Sequence, residues 1–377
     1  MMAPDSTEYI HFHPAVPPLY PAILWLVHFV SPDYSLMPWI QYGALIAAVI
    51  VFSKAVGDLM QSWAVAVTLA VAIMSNVFLM RFASQLISES LCLAFILAHL
   101  ALVLRTIKGR GYMLAGLTLG CACIIRPAAF AFLFALPFLP IAWPSHRWRR
   151  SVRLAFGVAV PILVACAGNY VSRGYFATEQ SSGVNLLYKS DQLWRQNMGP
   201  DWFVNGLLDV LTFNHDPSAI DNADDAKFPI VNDAARNYAL TTIELRPWQY
   251  LNSVAQQFYG LWFESTKISP KMARKLTGLL PDSDLERVRV LPFGLWFAKM
   301  FLFMIMLAAS VWAIVAATVR RDPVVYGMAY LALTTMCYFG LVASVEVAIS
   351  RYALMAWPLQ CTVLIGMVAW TRRSSSR

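Results

Sequence analysis

Charged side chains are scarce in this sequence. Asp, Glu, Lys and Arg make up 13% of its 377 residues and hydrophobic residues make up 59%, whereas a soluble domain averages about 25% charged residues. The net charge of +8 comes from Lys and Arg in short stretches between apolar runs, not from a basic polar face. The composition therefore predicts a membrane protein with membrane lipids as partners, and it excludes a nucleic-acid partner.

The sequence also lacks the patterns of several common site types. Its six cysteines all lie in apolar stretches, and Cys121 and Cys123 do not have the spacing of metal ligands, so we expect buried thiols and no disulfide framework or zinc site. A P-loop, a dinucleotide-binding fingerprint and a Ser-His-Asp spacing are absent from the sequence.

What the sequence has in abundance is apolar runs long enough to cross a bilayer, which takes about 20 residues in a helix. The run over 112–142 is too long for one crossing and is interrupted by Arg126-Pro127, so we interpret it as two short helices that meet there. The chain then has nine predicted spans. They are 36–53, 63–83, 86–104, the two within 112–142, 154–171, 294–318, 325–344 and 353–370.

Basic residues orient these spans, because cytoplasmic loops are rich in Lys and Arg. We predict an all-α polytopic membrane protein of the inner or plasma membrane with a cytoplasmic tail. The predicted regions are an external loop over 1–35, a bundle of about six spans over 36–171, an external and mainly helical domain over 172–290, and about three further spans over 291–377. Within the first loop, 18–30 is too short to span and should form a helix at the membrane interface.

Ionisable residues collect on the predicted outer face of this arrangement. They are Asp5, Glu8, His11, His13, Arg81, Glu89, Arg126, Glu346 and Arg351. Charges close to the hydrocarbon are costly and indicate a functional site. Carboxylates beside arginines suit a reaction in which a hydroxyl loses its proton while a phosphate leaves. Glu8, Arg81 and Arg126 are therefore candidate substrate-binding residues.

Six segments, in this order, carry a resemblance to a known class. They are "PDSTEY", "HPAVPPLYPAILWL", "SQLISESLCLAFILAHLAL", "AGLTLGCACIIRPAAF", "GNYVSRGYFATEQSSGVNLL" and "ISRYALMAWPL". Together they resemble the GT-C class of integral-membrane glycosyltransferases, near the bacterial protein O-mannosyltransferases and aminoarabinose lipid A transferases. The resemblance implies an inverting enzyme that moves one sugar from a polyprenyl-phosphate donor to a lipid, glycan or protein acceptor on the outer, periplasmic face.

The resemblance also implies residue roles. Asp5 matches the acidic residue that acts as catalytic base, Glu89 matches one that contacts the acceptor or a metal, and Arg351 with Tyr352 matches a contact to the donor phosphate. Members of the class carry a span before the acidic loop. The match therefore implies either a span encoded upstream of Met1 or a loop anchored at one end only.

Other interpretations stay open. A divalent metal could bind His11 and His13 with Asp5 or Glu8, although no cofactor is required by the pattern. "SSGVN" over 181–185 is a turn or a backbone cradle for phosphate.

Two other functional classes remain as alternatives. An O-antigen polymerase or ligase that uses a pyrophosphate-linked lipid glycan would depend on arginines of the large loop, namely Arg173, Arg195 and Arg236. A transporter is less favoured, because the charges lie at helix ends and no repeat is visible.

Overall fold

A computed structural model describes most of the chain. The described residues are 6–105, 111–138, 147–183, 185–187, 228–263, 323–345 and 350–375, with a few single positions between 301 and 315. Asp5, Glu346, most of the predicted span 294–318 and much of the predicted external domain over 172–290 lie outside the described residues.

All regular structure in the described ranges is helical, as predicted. The α-helices are α1 Ser6–Ile10, α2 Leu19–His28, α3 Met37–Met60, α4 Trp63–Met74, α5 Val77–Ala83, α6 Glu89–Arg105, α7 Tyr112–Cys123, α8 Arg147–Arg173, α9 Phe228–Leu245, α10 Pro247–Phe263, α11 Pro323–Val345 and α12 Ser350–Ser375. Of these, α3, α8 and α11 are long and apolar enough to cross a membrane. This is the composition and helix length of a membrane protein.

The predicted single span over 63–83 is wrong. Two helices occupy it, because the chain breaks at Ser75 and Asn76. The Asn76 side-chain oxygen accepts a hydrogen bond from the Leu79 backbone amide at 3.3 Å, which starts α5 in the manner of an N-cap. A polar capping residue in mid-run thus outweighs the continuous hydrophobicity.

The predicted break at Arg126-Pro127 is confirmed. Helix α7 ends at Cys123, and Pro127–Phe138 forms a 3-10 helix instead of a second α-helix. Since proline lacks a backbone amide, Pro127 cannot continue the α-helical hydrogen bonds of α7. The Ala129 amide donates to the Arg126 carbonyl at 3.0 Å, the i to i+3 bond that begins the tighter helix.

The helices pack into one bundle. In sequence order α3 packs against α4 and α6, α6 against α7, and α7 against α8, whereas α11 contacts the 3-10 helix and α12, which in turn contacts α4. Helices α7 and α8 approach closely, and a Cβ added at Gly116 would lie 2.1 Å from the Leu154 carbonyl oxygen. Glycine here lets two backbones meet, as small residues do between membrane helices.

Helices α9 and α10 belong to the region predicted to be mainly helical. Helix α10 packs against α11 through part of its aromatic side. Tyr250 donates its hydroxyl hydrogen to the Ser344 carbonyl oxygen at 2.6 Å, and the rings of Phe258 and Phe339 meet edge-on at 6.3 Å.

Candidate functional site: a buried ion pair under the amino-terminal segment

One carboxylate and one guanidinium meet inside the bundle at the end where α6 begins and α7 stops. An Nη1 atom of Arg126 lies 3.0 Å from an Oε1 atom of Glu89, and the two side chains are 8% and 5% exposed. The antiparallel packing of α6 on α7 produces this meeting, because Glu89 is the first residue of α6 and Arg126 follows the last turn of α7. A carboxylate at the amino end of a helix is also favoured by the helix dipole.

The loop before α6 adds a hydroxyl to the pair. Ser88 accepts a hydrogen bond from Arg126 Nη1 at 3.3 Å, and its oxygen lies 3.0 Å from the Tyr9 hydroxyl. Ser6 donates to the Leu86 carbonyl at 2.9 Å. Two side chains of α1 therefore attach the amino-terminal segment to the residues that carry the ion pair.

Helix α2 completes the cover over this end of the bundle. The Leu19 amide donates to the Ile124 carbonyl at 3.1 Å, two residues before Arg126, and the rings of Tyr20 and Tyr9 meet edge-on with centroids 4.8 Å apart. Burial raises the pKa of the Tyr20 hydroxyl, and the nearby Tyr9 and Glu89 raise it further. Tyr20 is thus a neutral hydrogen-bond donor beside the pair at physiological pH.

Gln41 of α3 holds the loop between α5 and α6 in place. Its Nε2 donates to the carbonyl of Gln85 at 2.7 Å and to that of Ala83 at 3.3 Å, while its Oε1 accepts from the Tyr20 hydroxyl at 3.4 Å. One fully buried amide side chain therefore connects the loop that leads to Glu89 with the helix that covers it.

The end of α8 and the segment that follows it reach the same place. Arg173 donates a hydrogen bond to the Phe12 carbonyl, and the Gln180 amide donates to the Pro14 carbonyl at 3.0 Å. We call residues 6–28, which are held by these contacts, the amino-terminal cover.

The structure brings together only part of the predicted set. Glu89 and Arg126 form the pair, whereas Glu8 and Arg81 are exposed. Arg351 and Tyr352 lie in α12, but their side chains are outside the description, as is all of Asp5.

Four polar residues around the pair were not predicted as site residues. They are Tyr9, Tyr20, Gln41 and Ser88. Only Gln41 has a clear sequence signal, because it is a polar residue near the start of an otherwise apolar run. The other three resemble ordinary interfacial residues.

Two predicted binding features have other roles in the structure. In the "SSGVN" stretch, the Gly183 amide donates to Asn232 Oδ1 at 2.8 Å and the Asn185 amide donates to the Ser181 carbonyl at 2.9 Å. These amides are engaged within the protein, which argues against a phosphate cradle there. His13 Nδ1 accepts from the Ala15 amide at 3.2 Å, and His11 is exposed. Among the described residues no group of three His, Cys, Asp or Glu side chains is arranged to hold a metal ion.

The six cysteines are free thiols; four of them are buried as predicted, whereas Cys121 and Cys337 are half-buried. In general, a guanidinium donates paired hydrogen bonds to an oxyanion and a carboxylate accepts hydrogen bonds from hydroxyl groups. No family model, curated protein or solved structure matches this chain.

Proposed function

We propose that this chain is a membrane transferase that moves a sugar from a polyprenyl-phosphate donor to a hydroxyl acceptor, with its site at the Glu89–Arg126 pair. The observation that carries the proposal is the burial of this ion pair beneath the amino-terminal cover. Desolvated charges are expensive, so a pair at the end of a membrane bundle is more typical of a working site than of a structural one.

The proposed reaction assigns a separate task to each group. Asp5 takes the proton from the acceptor hydroxyl while the acceptor oxygen attacks the anomeric carbon of the sugar. The bond from that carbon to the phosphate oxygen breaks, inversion follows, and polyprenyl phosphate leaves with the added negative charge. Arg126 stabilises this charge and Glu89 orients Arg126, because a paired guanidinium keeps its planar donors in one direction. Asp5 precedes Ser6, the residue bonded to the Leu86 carbonyl beside this site.

The proposal is tested by offering several lipid-linked sugar donors to the full chain in lipid nanodiscs and measuring transfer. We expect transfer from a polyprenyl-monophosphate sugar, and we expect D5N to lower the rate at least about 100-fold because a positioned base contributes roughly 10² to 10⁴. D33N is the matched control, since Asp33 is another carboxylate near the cover that bonds only Ser31 and Ser35 among the described residues.

The outcome also separates the proposal from its main rival. Transfer only from a pyrophosphate-linked glycan, together with loss of that transfer in R173A, would favour the polymerase or ligase class instead. Equal activity in D5N and the parent chain would reject the base assignment.

A further inference from the structure

A groove lies at the opposite end of the bundle from the ion pair. It has a volume of about 560 Å³ and lies between the start of α4 and the last turns of α12. Helix α3 connects the two regions, and the separation of 19 positions between Gln41 and Met60 corresponds to about 28 Å of helix. The groove is therefore separate from the site proposed above.

The groove carries its charge at one end and is otherwise mostly apolar. Ser62 precedes α4 and Arg372 lies in the last turn of α12, whereas the rest of the lining is apolar apart from Thr68. The apolar lining residues include Val65, Leu364, Ile365 and Val368. The groove follows α12 from Arg372 to Leu364, a separation of eight positions and about 12 Å along the axis.

The charge at one end of the groove favours an anionic occupant. Arg372 is exposed and lines the groove, and α4 begins beside it, so the helix dipole adds partial positive charge at the same place. The exposed Trp63 next to Ser62 is typical of a residue at the headgroup level. A cation over an aliphatic slot complements an anionic head with a hydrocarbon tail.

We propose that this groove is a binding site for an anionic phospholipid of the surrounding bilayer. The phosphate of the lipid pairs with Arg372 and accepts hydrogen bonds near Ser62, and one acyl chain lies between α4 and α12. Basic pockets between membrane helices hold anionic lipids through this combination of charge and apolar contact. The volume is within the range of ligand sites in proteins, roughly 300 to 1,000 Å³.

Two substitutions test the acyl-chain part and the headgroup part of the proposed site separately. A64W fills the slot from an exposed position on α4 that lines the groove. R372Q removes the charge. V67W and R153Q are the matched controls, because Val67 and Arg153 are exposed but do not line the groove.

The measurement is native mass spectrometry of the full chain, released from nanodiscs that contain phosphatidylglycerol or phosphatidylcholine. We expect one retained phosphatidylglycerol per chain, its loss in A64W, and about fivefold weaker retention in R372Q. V67W and R153Q should retain it as the parent does.

Other occupants give other results. Equal retention of phosphatidylcholine, unchanged retention of phosphatidylglycerol in A64W, or a dimer of the chain that disappears in A64W would each overturn the proposal. The same would follow if R153Q weakened retention as much as R372Q, because the effect would then reflect total charge and not this site.

Discussion

At the level of single residues, Glu89 and Arg126 are the charged side chains that are buried in the described part of the bundle, and they form a pair. Two ions lose most of their hydration there, and the Ser88 hydroxyl and the helix dipole at Glu89 compensate for part of the loss. Removing one partner leaves the other charge buried.

We therefore expect E89Q to lower the free energy of unfolding by about 3 to 5 kcal/mol. The comparison is D58N, which breaks the exposed pair of Lys54 and Asp58, whose side chains are 66% and 54% exposed. An exposed i,i+4 pair contributes only about 0.3 to 0.5 kcal/mol. Thermal or denaturant unfolding in detergent measures both variants, and the double variant E89Q/R126Q should lose less stability than the sum of its single changes. An E89Q variant as stable as D58N would mean that the pair is not desolvated.

Among the elements, the junction of α7 and α8 depends most on backbone proximity. A Cβ at Gly157 would lie 2.2 Å from the Met113 carbonyl oxygen, and one at Gly120 would lie 2.6 Å from the Val158 carbonyl oxygen. Gly116, Gly120 and Gly157 thus let the two helices meet at backbone distance.

G157A should separate these helices and lower the free energy of unfolding by about 1 to 3 kcal/mol, because no flexible side chain can move aside. G168A on the same helix is the control, since nothing lies within 4 Å of its added Cβ and alanine favours a helix over glycine by about 0.8 to 1 kcal/mol. Unfolding in detergent should show opposite signs for the two variants. Loss of stability in both would point to a general intolerance of α8 to substitution.

At the scale of the whole molecule, α8 is one of the helices long and apolar enough to cross a membrane, and its direction would set which end of the bundle faces outward. The helix has 27 residues, about 40 Å in length, and the hydrocarbon core is about 30 Å thick. Basic residues surround its first turns, which favours a cytoplasmic start. The ion pair and the amino-terminal cover would then lie near the outer face.

Single-cysteine labelling with a membrane-impermeant maleimide tests this direction. S172C should react in intact cells and W148C only after permeabilisation, because the two exposed positions lie at opposite ends of α8. The parent chain provides the background, since its six cysteines are buried or partly buried. Labelling of both variants in intact cells would mean that α8 does not cross the membrane, and the reverse pattern would invert the predicted orientation.

The sequence alone determined the helical class, most helix positions and the break at Arg126-Pro127. These depend on local properties, namely continuous hydrophobicity, the missing amide of proline and the length of each run. It also identified Glu89 and Arg126 as candidate site residues, because charges beside apolar runs are conspicuous. It misjudged 63–83, since a single Asn cap outweighed the hydrophobic average.

Only the tertiary structure decided which charges meet. Glu8 and Arg81 belong to the same predicted set as Glu89 and Arg126, yet they are exposed while the latter two are buried against each other. The difference comes from the antiparallel packing of α6 on α7 and from the contacts of Tyr9, Tyr20 and Gln41. Such contacts join residues far apart in the chain, and their geometry has no counterpart in local spacing.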